Sequence, residues 1–168
     1  LHSKIYRKKY IVFLETDFPR VPMTKNRDVF TKYAEFGKKL IELHLLKTLP
    51  ADASMKVSLG DVKGDFCIDK LTYANSKIHL SVSQANKSSC GGLITFEGVT
   101  PDIFAFEIGS RKPVDLWIKN RIKDRVSIMI EDLQHIKNML IAIKQTIAVM
   151  EKIEGLGEEY LDETPVQA

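Results

Sequence analysis

Apolar residues recur along the start of the chain with helical spacing. Tyr6, Tyr10, Phe13 and Leu14 fall at i, i+4, i+7 and i+8, with Lys4, Lys8 and Glu15 largely off that stripe. This predicts a helix over 3–16. The segment "DFPRVP" at 17–22 ends it. Each proline lacks a backbone donor, fixes φ, and pushes the residue before it, Phe18 or Val21, toward extended geometry. The result is a stiff strap with one cation, Arg20, in its middle; such an arginine suits either a phosphate contact or a pair with an acid such as Asp17. A second helix is predicted from about Asn26 to Lys47, with Asn26 as N-cap and Asp28 in the first turn. Its stripe is Val29, Phe30, Tyr33, Phe36, Leu40, Ile41, His44 and Leu45. His44 on that stripe reads as a hydrogen-bonded core histidine in preference to a ligand. Gly37 inside the helix costs about 1 kcal/mol relative to alanine, which points to close packing against a neighbour.

From 56 to 98 the period shortens to two. "KVSLG", "KLTYA", "KIHLSVS" and "GLITFEG" are short, alternating and β-branched or aromatic, separated by Gly, Asn, Asp and Ser, as strands of a small antiparallel sheet are. "YANSK" reads as a hairpin turn, and "QANKSSCGG" at 84–92 as an exposed loop. A short helix or turn is predicted near 101–106 and a helix over roughly 113–121, with Pro113 in its first turn. Trp117, with Val114 and Ile118 on that helix, reads as core. Finally, Val126, Met129, Leu133, Ile136, Leu140, Ile143, Ile147 and Met150 are spaced alternately by three and four, a heptad seam, with Ser127 as candidate cap. Ile130, Met139, Ile141 and Val149 widen the apolar face, which favours packing inside the molecule over a free coiled coil. The fold class is α+β: helices packed around a small antiparallel β-sheet, with a long C-terminal helix. Residues 1–25 form a linker helix and proline strap, 26–154 the main domain, and 155–168 an acidic flexible tail.

Composition narrows the chemistry. The 168 residues are 44% hydrophobic and 28% charged, ordinary for one globular domain. No apolar run reaches the roughly 18 residues needed to span a bilayer, and no signal-peptide pattern opens the chain. With Leu1 in place of a methionine at its start, the chain is expected to be a piece of something longer. Cys67 and Cys90 are far apart and belong to no C-x-x-C pair, so a reduced, cytoplasmic protein without a zinc site is expected. Charge is uneven: residues 1–47 carry a net +6, 48–98 zero, 99–125 +2 and 126–168 −5. A basic front suits a surface facing a polyanion, although solvated lysines produce the same count. Catalytic patterns are missing: there is no phosphate-cradling glycine loop, dinucleotide fingerprint, H-E-x-x-H or nucleophile elbow. Asp61, Asp65 and Asp69 match no calcium-loop order and read as solvated turns. The chain reads as a binding or structural domain.

Four segments, in order, carry a resemblance: "YRKKYIVFLETDFPRVP" (6–22), "FTKYAEFGKKLIELHLL" (30–46), "ITFEGVTPDIFAFEIGSRKPVDLWIKNR" (94–121) and "QTIAVMEKIE" (145–154). The series resembles the C-terminal specificity region of the type ISP restriction–modification enzymes and their fused adenine-N6 methyltransferase–endonuclease relatives. Two departures stand out. Ser110 and Arg111 replace the family's usual glycine and aromatic after "IG", and "RVSIMIEDL" is longer than the usual approach to its acidic pair. The resemblance implies a target recognition domain that reads a short site in double-stranded DNA, next to a methyltransferase domain of the same polypeptide. S-adenosylmethionine, Mg and ATP are implied for the parent enzyme alone. No cofactor, metal or membrane contact is expected for this chain.

Candidate DNA contacts follow from chemistry, since bases are read by Arg or Lys on guanine and Asn or Gln on adenine. The sheet loops offer Lys63, Lys77, Gln84, Asn86, Lys87 and Ser88. The "SRKP" turn and the next helix offer Arg111, Lys112, Lys119, Arg121, Lys123 and Arg125 for phosphates, with Arg20 at the strap. The alternative function is a non-catalytic scaffold that docks a partner through the heptad helix 126–150.

Overall fold

The computed structural model describes residues 2–18, 24, 26–84 and 87–161, with backbone alone for 87–90 and 157–161. The strap prolines, Arg20 and Asn86 lie outside the described residues. The chain divides into two units, residues 48–144 and residues 1–47 with 145–168; the expected domain 26–154 contributes to both.

The 48–144 unit is built on five antiparallel strands, β1 (Lys56–Ser58), β2 (Phe66–Ala74), β3 (Lys77–Gln84), β4 (Lys87–Glu97) and β5 (Ser127–Ile128), in the order β1-β4-β3-β2-β5. Alternation divides the sheet into a core face and a polar face. Ile78, Leu80 and Val82 of β3 are buried beside Ile94 and Phe96 of β4 and Ile68 of β2. Lys77, His79 and Ser81 point the other way, where His79 Nδ1 lies 3.1 Å from Thr95 Oγ1. The turn read in "YANSK" is a two-residue hairpin. Asn75 and Ser76 both have positive φ (51° and 57°) between the paired Ala74 and Lys77, a geometry that matches the twist of the strands.

Two expectations about the sheet are corrected. "QANKSSCGG" is not a long loop: β4 begins at Lys87, which pairs with Gln84, so β3 and β4 run as one ribbon to a two-residue connection. The "GG" that suggested a loop is strand, and Gly92 is glycine because a Cβ there would collide with the Val62 side chain. Ser127, read as a helix cap, is strand β5, paired with Cys67.

Helices α4 (Pro101–Phe104) and α5 (Pro113–Asp124) follow the sheet, and α6 (Ile130–Leu161) runs on through both units. Pro113 opens α5, where its missing donor costs nothing. Val114 and Ile118 are the buried face of α5, and Leu133, Ile136, Leu140 and Ile143 are buried on α6. These four are the middle of the heptad seam. Its first members, Val126 (43% exposed) and Met129 (53%), precede the helix and are exposed. The start of α6 is held instead by Asp132, whose Oδ2 accepts from Met129 N–H at 2.9 Å. Helical backbone continues through Gly155 to Leu161, beyond the point where a flexible tail was expected.

In the other unit, the first helix is two pieces, α1 (Lys4–Lys9) and α2 (Ile11–Thr16), because Tyr10 leaves helical geometry (φ −116°, ψ 21°). The β-branched pair Ile11–Val12 follows the break, and such residues resist helix. Ser3 and Glu154 of α6 both accept from the amides that open α1. Helix α3 (Arg27–His44) is capped by Asn26, which accepts from Asp28 and Val29 amides at 3.0 and 3.3 Å. Its buried positions are Val29, Leu40 and Leu43; Phe30, Ile41, His44 and Leu45 are exposed. The helix turns a narrower face inward than the apolar count suggested. His44 is thus a surface histidine, with its ring 5.3 Å from that of His2, and nothing packs within 4 Å of a Cβ placed on Gly37.

Candidate nucleic-acid interface

Strand register separates the candidate contacts into two groups at opposite ends of the sheet. At one end β2 begins: Phe66 pairs with Gln84 and Ile128, and Gln84 with Lys87. Lys63 lies just before this point, in a loop whose Val62 reaches Gly92. Arg125 joins them, since its carbonyl accepts from Cys67 Sγ at 3.7 Å and its guanidinium lies 3.8 Å from Asp69. Lys63, Gln84, Lys87 and Arg125 therefore share the ribbon-tip end. Among the described residues, neither the Gln84 nor the Lys63 side chain has a hydrogen-bond or ion-pair partner.

The other end holds Lys77, Arg111 and Lys112. Lys77 sits beside the Asn75–Ser76 turn and is ion-paired with Glu97 at 2.6 Å, which draws the Glu97 carboxyl below its usual range. The "IGSR" segment makes a reverse turn: Ile108 and Arg111 exchange backbone hydrogen bonds at 2.9 and 3.3 Å, with Gly109 at φ 65°. Lys112 lies 5.9 Å above the Phe104 ring, itself stacked at 4.1 Å on Tyr73 of β2. About eight strand residues separate the two ends, roughly 25 Å at 3.3 Å each.

Helix α5 connects them and carries Lys119 and Arg121. Lys119 is paired with Asp115 one turn back at 2.9 Å. Arg121 lies over Trp117, its guanidinium carbon 3.2 Å from the ring centroid, and desolvation lowers its pKa. Trp117 is only half-buried, so the expectation that it is core is corrected. Val114 and Ile118 take the core-facing positions and leave the indole on the helix flank, between Arg121 and the His135 ring of α6 at 5.7 Å. The i,i+4 spacing of Trp117 and Arg121 was a signal for this stack that the apolar reading of the tryptophan overrode.

The type ISP C-terminal specificity domain family matches residues 1–152. The chain belongs to this family. Its members are the target recognition part of restriction–modification enzymes, so this domain serves DNA sequence recognition. No curated protein and no solved structure matches the chain. Among the described residues, no helix is long and apolar enough to cross a membrane, and no group of three or more His, Cys, Asp or Glu side chains is placed to hold a metal. The scaffold alternative loses its docking surface, because Leu133, Ile136, Leu140 and Ile143 of the seam are already buried in the chain.

Proposed function

We propose that this specificity domain reads a short duplex site with the tip of the β3–β4 ribbon, for adenine-N6 methylation and cleavage by other parts of the parent protein. The observation that carries the reading is the pairing of Gln84 with Lys87, which turns the expected loop into a two-stranded ribbon. A ribbon of that kind fits the major groove, where base edges are distinguishable. Gln84, Asn86 and Lys87 supply the donors and acceptors for bases, and Lys63 and Arg125 flank them for phosphates. Arg111 and Lys112, at the far end of the sheet, contact backbone further along the same duplex. Lys77 and Lys119, already ion-paired, contribute least. The partners in this reading are double-stranded DNA and the methyltransferase domain of the same polypeptide. S-adenosylmethionine, Mg and ATP act in the parent enzyme, away from this chain.

Competition binding against single-base variants of the parent's site tests the assignment. Replacing Gln84, Asn86 or Lys87 by alanine is expected to relax preference at one or two base pairs, each by about 1–3 kcal/mol. Replacing Arg111 and Lys112 together is expected to weaken specific and random duplexes alike, and to flatten the salt dependence by about two contacts. An unaltered preference profile in the ribbon variants would move the reading surface elsewhere on the domain.

A further inference from the structure

Arg121 differs from the ion-paired cations of the 48–144 unit. Lys77, Lys119, Arg125 and Lys144 each have a carboxylate within ion-pair distance. Arg121 has none among the described residues. Asp132 of α6 acts on it from longer range, raising its pKa against the larger effect of burial, and Asp132 itself accepts from Met129 N–H. Among the described residues, the guanidinium makes one hydrogen bond, a long one, 3.4 Å from its Nη1 to Trp117 O one turn back. Its Nε is buried with no partner. A buried donor left unpaired is unfavourable. The stack on Trp117 offsets part of this, since a cation is attracted to the face of an indole ring. It also fixes the orientation of the guanidinium fork. What remains is a cation stacked on an indole, with one buried donor unused and no carboxylate within ion-pair distance among the described residues.

We propose that Arg121 binds a phosphate of the DNA backbone, and that Trp117 is a positioning residue whose indole holds the guanidinium for that contact. This rests on the reading that the domain binds duplex DNA. The placement supports it: Arg121 lies one turn before Arg125, at the end of α5 next to the ribbon tip. A planar fork fixed by stacking suits bidentate phosphate geometry better than a mobile lysine does. The contact orients the duplex and carries no base preference of its own.

Trp117 is the chain's single tryptophan, so its emission reports on this site alone. The experiment titrates a labelled random-sequence duplex into the 168-residue chain over a range of salt, following binding and tryptophan emission together. The unsubstituted chain is expected to show an emission change that saturates with binding. Arg121→Ala is expected to bind about tenfold more weakly, to lose the emission change, and to show a salt slope smaller in magnitude by about 0.9. Trp117→Phe keeps an aromatic platform and should retain the slope. Trp117→Leu should match Arg121→Ala, with the double variant no weaker than either single one. Should Trp117→Leu fail to fold, the emission titration and Arg121→Ala decide the matter. Emission from the unsubstituted chain that stays constant while duplex saturates, or an unchanged slope in Arg121→Ala, overturns the phosphate assignment and leaves the ribbon reading standing. Failure of the unsubstituted chain to bind any duplex overturns both.

Discussion

The two hairpins of the sheet use the same two-residue spacing and end very differently. At the β2–β3 turn the polar groups are used within the fold. Val99 N–H donates to Ser76 O at 3.1 Å, Lys77 pairs with Glu97, and Tyr73 Oη donates to Val99 O at 2.9 Å. Gly98, at φ 81°, brings the backbone against Ser54 O, where any Cβ would collide. Ser54 and Asp52 are in turn tied to Lys144 of α6 at 2.8 and 2.6 Å. At the β3–β4 end, the register shifts between Val82 and Gln84 before the last pair, Gln84 with Lys87. One end of the sheet closes on itself. At the other, the Gln84 side chain is left without a partner among the described residues.

The largest test of this contrast is Phe66→Ala. Phe66 is fully buried where β2 meets both Gln84 and Ile128, so it anchors the tip from beneath. Truncation is expected to cost about 3–5 kcal/mol in denaturant or thermal unfolding. A loss within about 0.5 kcal/mol would show that the tip has no core support and would break the comparison. Acid is a gentler probe of the closed end. Hydrogen bonds from Lys144 and Ser54, chiefly the first, hold the Asp52 carboxyl down at about 2 against a usual 3.8. A depressed acid stabilises the fold above its unfolded value, and that contribution fades as pH falls from about 3.8 through about 2. Lys144→Met is expected to remove this component of the acid transition, with an effect of about 1 kcal/mol or less because the ammonium is partly exposed. Identical acid melts for the two proteins would mean that the tie to α6 contributes nothing. The smallest expected effect belongs to Lys77→Ala. An exposed ion pair contributes about 0–1 kcal/mol, and base preference should not change. A shifted preference profile would place a reading contact at the closed end and reverse the assignment of the two hairpins.

Local signals were strong enough to define much of the architecture. Asn26 as cap of α3, Pro113 at the start of α5, the "YANSK" turn and the heptads of α6 are each set by covalent geometry or a single-helix period, and each was readable from residues a few positions apart. The ordered motifs likewise pointed to the family before any coordinates. Questions of which face wins and which edge pairs were settled by contacts between distant residues. His44 and Leu43 are neighbours on one amphipathic helix, and only packing decides that Leu43 goes inward. Ser127 and Ile128 become strand because β2 leaves an edge for them, a partner sixty residues away. Gly91 and Gly92 lie in a strand although glycine usually marks a loop, because Val62 needs the space above Gly92. Trp117 carried an apolar signal as strong as that of Ile118, but a helix with one buried face cannot bury both. The sequence alone therefore determined the kinds of element, their order and the family, since those depend on local backbone preference and motif order. Tertiary structure decided the ribbon, the two ends of the sheet and the Arg121–Trp117 stack, since those depend on which distant surfaces compete for the same buried space.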